Sequence, residues 1–160
     1  MPILNSRSRI LYHAGRADEA RTTLEAAIEL DPDFRWNHHV LAAQLLDQGR
    51  LDEAEAHVRH TLQLLPGDLR SLATRTAILA ARGDSTAARA IRDRIRESGG
   101  LDLEYALAAA SAAVGETDAA FADRVRWTSE LKFSFATDPL LRPLRDDERY
   151  PRRLRERGSG

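Results

Sequence analysis

The stretch LDEAEAHVRH at 51–60 sets His57 and His60 beside Glu53 and Glu55. A carboxylate and an imidazole one helical turn apart, as Glu53 and His57 are, can share a divalent metal ion. No third ligand follows at a spacing that would complete such a site, so a pair of solvated surface histidines is the simpler reading. His38 and His39 add nothing to it, because adjacent residues of a helix point in different directions. Arg89, Arg92 and Arg96 form one helical stripe, and Arg142, Arg145, Arg149, Arg152, Arg153, Arg155 and Arg157 follow later. Such a track could hold phosphates. Asp93, Glu97, Asp146, Asp147, Glu148 and Glu156 interrupt both runs and no aromatic platform accompanies them, which favours a salt-bridged solvent face over nucleic-acid contact. Arg9 and Arg70 remain as groups able to hold a carboxylate through paired hydrogen bonds. Trp36, Tyr12 and Tyr105 offer amphipathic contact area at low entropic cost.

The common catalytic arrangements are missing from the sequence. It contains no glycine-rich phosphate loop, no Gly-x-Ser-x-Gly, no His-Glu-x-x-His and no cysteine, so neither an enzyme nor a cofactor or metal site is expected. A chain of 160 residues suits one domain with its own core. With 24 basic against 25 acidic residues, and a formal charge of −1, bulk electrostatics draw the chain to neither nucleic acid nor an anionic membrane. No apolar run approaches the roughly 18 residues of a membrane span. The start MPILNSRSRI lacks an apolar secretory core, and the absence of cysteine suits a reducing compartment. The expectation is a soluble cytoplasmic protein.

What positions these side chains is a repeating phrase. GRADEA at 15–20 returns as GRLDEA at 49–54, and more faintly as GDSTAA at 83–88 and GETDAA at 115–120, so the leading glycines stand 34, 34 and 32 residues apart. Between them the apolar spacing is helical. Leu24, Ala27, Ile28 and Leu30 mark a helix from about Ala17 to Leu30 that Asp31-Pro32 ends. Val40, Leu41, Leu45 and Leu46 mark another that Gly49 ends, and Ala54, Val58, Leu62 and Leu64 a third that Pro66 closes. Gly15 and Gly49 supply a left-handed residue at the end of one helix. Asp18-Glu19 and Asp52-Glu53 place negative charge at the start of the next, and Ala20 and Ala54 let the two helices approach closely. Each phrase is the turn of a helical hairpin.

In period and in the phase of glycine, alanine and proline, the chain resembles the tetratricopeptide repeat. Residues 35–68 fit best, through Leu41, Ala42, Leu45, Gly49, Ala54, Val58 and Pro66. Residues 1–34 fit in their second half, but Arg7 and Ser8 depart, so the opening helix is expected to be truncated or frayed. In 69–100, Arg75 and Arg92 stand where packing residues are usual, and Ser98-Gly99-Gly100 replaces the proline. In 101–131, Trp127 is bulky for a small position. The resemblance implies an all-α, right-handed superhelix of about four helix pairs forming a single domain over 1–160, with residues 132–160 as a capping tail. There Phe133, Phe135, Leu140, Leu141 and Leu144 would cover the last pair. The tail also resembles the ending that follows such arrays in some bacterial signalling and transcription-regulatory proteins.

The resemblance further implies that the first helix of each pair lines a concave surface. The positions carried over are Asn5, Arg9, Tyr12 and His13, then Trp36, His39, Ala43, Leu46 and Asp47. The third unit gives Arg70 and alanines 73, 77, 80 and 81, and the fourth Asp102, Tyr105 and alanines 109, 112 and 113. The expected function is a non-catalytic interaction module holding a partner peptide or helix, with Arg9, Tyr12, Trp36, His39, Leu46, Arg70 and Tyr105 as contacts. A second reading has Trp36 packing between adjacent repeats and the alanines accommodating close helices or the chain's own tail. Asn5, Arg9, Ala43 and Thr74 lack the set with which some relatives grip chaperone C-termini. The alternative function is a regulatory or sensor segment acting in cis within a longer signalling or transcription-regulatory protein. The assembly expected is a monomer or a weak homodimer.

Overall fold

A computed structural model describes residues 2–100, 102–121 and 138–149. Helices α1 (Pro2–His13), α2 (Ala17–Leu30), α3 (Arg35–Asp47), α4 (Leu51–Leu64), α5 (Leu69–Ala81), α6 (Ser85–Glu97), α7 (Leu103–Ala113) and α8 (Thr117–Phe121) follow one another. A 3-10 turn at Pro139–Leu141 then runs into a helical turn at Arg142–Arg145. The described residues are all-helical.

Each hairpin turn closes in the same way. The N–H of Arg50 bonds the carbonyl of Leu45 at 2.9 Å, and that of Gly49 bonds Leu46 at 2.9 Å. Gly49 sits at φ +75°, in the left-handed region where a Cβ is costly. Asp84 and Asp68 also cap α6 and α5, their carboxylates accepting from the N–H groups of Ala87 at 3.0 Å and Ser71 at 3.2 Å. Such caps are worth about 1 kcal/mol each.

The pairs stack into a helical solenoid. Helix α1 packs on α2, α3 on α4 and α5 on α6, while α1, α3, α5 and α7 also touch in series. The odd helices are therefore enclosed on several sides. All residues from Asn37 to Leu45 are buried in α3, and all from Tyr105 to Ala112 in α7. Even helices bury one stripe with i, i+4, i+7 spacing: Ala20, Leu24 and Ala27 in α2, Ala54, Val58 and Thr61 in α4, and Ala88, Arg92 and Ile95 in α6. Burying each of Leu24, Val58 and Ile95 contributes about 1.5–3 kcal/mol. Ala20, Ala54, Ala88 and Ala120 are all fully buried, which fits their role as points of close helix contact.

Two expectations are corrected. Helix α1 is neither truncated nor frayed, because its polar residues pack through hydrogen bonds. The Ser8 hydroxyl donates to the Ala20 carbonyl at 2.9 Å and accepts from Gln44 Nε2 at 3.2 Å, and Asn5 donates to Asn37 at 3.3 Å. Arg92 does not weaken the third pair from a solvent face. It is buried, and its guanidinium is paired with Glu116 in the turn that follows α7. Arg75 by contrast is exposed, 3.4 Å from Glu55.

Leu140, Leu141 and Leu144 join the core of α7 and α8, together with Tyr105 and Phe121. Trp127, Phe133 and Phe135, and Arg152, Arg153, Arg155, Glu156 and Arg157, lie outside the described residues.

Candidate functional site

Four of the seven predicted contact residues meet in one cluster drawn from three successive odd helices. Arg70 of α5 sets its guanidinium over the ring of Trp36 of α3 at 4.5 Å and over that of Tyr105 of α7 at 4.1 Å. It also bonds Asp102 at 2.6 Å. His39 lies 5.5 Å from the Trp36 ring and edge-on to Tyr105 at 5.8 Å. The spacing rule delivers this, since Trp36 and Arg70 hold one repeated position and His39 and Tyr105 another, three residues further on along the same helix face. The guanidinium thus links three helix pairs through its flat faces, an arrangement a lysine could not reproduce.

The chain's own residue Asp138 enters this cluster. Tyr105 donates its hydroxyl hydrogen to Asp138 Oδ2 at 2.8 Å, and the hydroxyl also lies 3.3 Å from His39 Nε2. A phenol has one hydrogen, and here it goes to the carboxylate. His39 therefore serves Tyr105 as an Nε2–H donor, its Nδ1 facing Thr74 Oγ1 at 3.5 Å. Burial, and then the positive charges of Arg70 and Arg9, hold the His39 pKa down to about 3. Burial also raises the Asp138 carboxyl above the usual range, against the pull of Tyr105, Arg9 and Arg70. It pushes the Tyr105 phenol well up too. Tyr105 and His39, each 4% exposed, are covered in this arrangement.

Arg9 and Tyr12 of α1 line the neighbouring hollow with Trp36, His39, Ala43, Gln44, Asp138 and Pro139; its volume is about 20 Å³, room for roughly one water. Tyr12 donates to Asp47 at 2.5 Å, and burial together with that bond raises its pKa. Leu46 stands apart from these residues, in a larger hollow of about 420 Å³ floored by Ala77, Ala80, Ala81 and Ala113 and walled by Pro139, Leu140 and Arg142. Alanines 77, 80, 81 and 113 thus line one hollow, and Pro139, Leu140 and Arg142 lie along it. Arg142 reaches across to Asp47 at 2.6 Å. Sequence reasoning read Asp138 only as part of a cap. The one available signal was an aspartate before proline, which says nothing about where a segment docks.

The histidines differ from the expected solvated pair. His38 and His57 face each other Nδ1 to Nδ1 at 3.0 Å, and His38 and His60 both aim Nε2 at the Pro32 carbonyl, at 2.8 and 3.1 Å. His38 must donate to that carbonyl, so its Nδ1 accepts and His57 donates. Burial, followed by the like charge of His38 and His60, lowers His57 to about 4; burial also lowers His38. Among the described residues no group of three His, Asp or Glu side chains is arranged to hold a metal ion.

The arginine stripe of α6 is ion-paired, with Arg89 and Arg92 on Glu116 and Arg96 on Asp93. Arg149 binds Asp118 and Asp147. Among the described residues no helix is long and apolar enough to cross a membrane.

A search among curated proteins returns no match. Residues 4–26 and 36–60, which span most of α1 and α2 and most of α3 and α4, match the family model of the tetratricopeptide repeat, and this supports a tetratricopeptide-repeat protein.

Proposed function

We propose that this chain is a non-catalytic interaction module that receives a peptide or helix of a partner protein on the face formed by α1, α3, α5 and α7. Tetratricopeptide repeats generally mediate protein–protein interaction. The observation that carries the reading is the convergence of Trp36, His39, Arg70 and Tyr105 from three successive helices onto one side of the stack. Aromatic rings and an arginine gathered in a desolvated patch are the side chains that dominate binding energy at interfaces. Arg9 and Tyr12 extend the patch toward the first pair, and Leu46 borders its alanine-floored half. The pairing of Arg89 and Arg96 with acidic neighbours, and the burial of Arg92 on Glu116, speak against a phosphate track.

The test is capture of partner proteins on immobilised full-length chain, with Trp36→Ala and Arg70→Glu variants as comparison. Both variants should lose captured partners at least tenfold, while circular dichroism shows unchanged helicity. Equal capture by folded variants would refute the assignment of this face.

A further inference from the structure

Residues 138–142 lie across α3 and α7 in the manner of a bound peptide. Asp138 offers one carboxylate oxygen to Tyr105 at 2.8 Å and the other to the N–H of Leu140 at 3.0 Å. Pro139 forms the wall between the two hollows. Leu140 and Leu141 sink into the alanine-rich core of α7, and Arg142 ends the run on Asp47. The order is acid, turn, two apolar residues, base, each met by a complementary group on the odd helices.

The fit of this occupant is incomplete. Arg70 Nε and Nη1 and Gln44 Oε1 are buried without a hydrogen-bond partner among the described residues. Buried donors and acceptors left unmade are costly, so the receiving surface has polar capacity that Asp138 does not use. The hollow beside Leu140 also leaves about 420 Å³ unfilled.

We propose that residues 138–142 are an internal stand-in for the partner. The segment that this face accepts from another protein then has the same chemistry: a buried carboxylate, a proline turn, a pair of leucines and a base. Partner binding displaces the stand-in, and the measured affinity is lowered by the fraction of time that the internal segment holds the site. This inference rests on the groove reading above and adds the identity of the ligand class and the competition.

The experiment uses the full chain in a Trp127→Phe background, so that Trp36 fluorescence reports on the site. The peptide Thr-Asp-Pro-Leu-Leu-Arg-Pro-Leu-Arg, which copies residues 137–145, is titrated into this protein and into versions that also carry Asp138→Asn or Arg142→Ala. Loss of one charge-assisted bond from the internal segment should tighten peptide binding about tenfold in each variant. A peptide with asparagine in place of its aspartate should bind each of the three proteins about tenfold more weakly. Arg142 is about half exposed, so its variant keeps the test decisive where Asp138→Asn disturbs folding.

Absent binding, or equal affinity for all three proteins, would overturn the proposal and leave residues 138–142 a fixed cap. Concentration-dependent dimers of the variants in light scattering would also overturn it, by making a second copy the occupant. The groove reading fails separately, when Trp36→Ala and Arg70→Glu leave partner capture intact.

Discussion

Acid should loosen this fold through His57, and the size of the effect follows from its surroundings. His57 shares a proton with His38, faces His60 and Glu53, and has its pKa lowered from 6.5 to about 4, chiefly by burial. The native chain therefore binds fewer protons than the unfolded chain at any pH below about 6.5, so stability is full above that value and falls as pH drops toward 4. At pH 5, about 1.5 units below the unfolded value, the penalty at about 1.4 kcal/mol per unit approaches 2 kcal/mol. His57 keeps one edge in solvent, which brings the expected figure to between about 1 and 2 kcal/mol. Replacing it with a residue that does not titrate removes this contribution together with its coupling to His38, while His39 titrates alike in both proteins. Urea unfolding of the native chain and of His57→Gln, followed by far-UV circular dichroism at pH 7 and pH 5 at constant ionic strength, supplies the comparison. The variant should lose about 1–2 kcal/mol less between the two pH values. Parallel losses, within about 0.5 kcal/mol, would refute the assignment of the acid sensitivity to this cluster.

Two further perturbations test the architecture. Ala54→Leu, at a fully buried point of the second hairpin, should destabilise by about 1–3 kcal/mol through overpacking, whereas Ala56→Leu on the exposed side of the same helix should be nearly neutral; thermal melts compare them. Gly49→Ala should cost about 1–2 kcal/mol because φ is +75°, although a Cβ there meets no neighbour within 4 Å, while Gly67→Ala, equally unobstructed and without a positive φ, should cost nothing measurable in urea titration.

The helices and their turns were readable because local rules set them. A left-handed glycine, first-turn acids and a small residue at a fixed offset act within one hairpin, so a 34-residue period exposes them even when packing is unknown. That Trp36, His39, Arg70 and Tyr105 share one side of the stack was also legible, since repeated positions on stacked units face the same way, but their packing against one another was not. Other features depend on choices that the period leaves open. Ser8 and Arg92 violate the apolar pattern, yet each is buried once a specific partner, the Ala20 carbonyl or Glu116, satisfies it. His38 and His57 are 19 residues apart on opposite arms of a hairpin, and no spacing rule signals that their rings meet. Asp138 was hidden for a similar reason: where a tail segment docks is decided by tertiary fit, to which a local pattern is blind.

Ion pairs between successive hairpins join residues about one repeat apart, such as Arg35 with Asp68, Arg70 with Asp102 and Arg82 with Asp52. A stack held only by such links resembles a coil spring, from which end units peel away one at a time under tension. The pairing of Arg142 with Asp47, 95 residues apart, changes the mechanics. It ties α3 to the segment at 140–142, so a load applied between the two is shared by this ion pair and by the seated Leu140 and Leu141. Residues 139–142 therefore bridge α3 and α7, adding one long-range tie to a stack otherwise linked neighbour to neighbour.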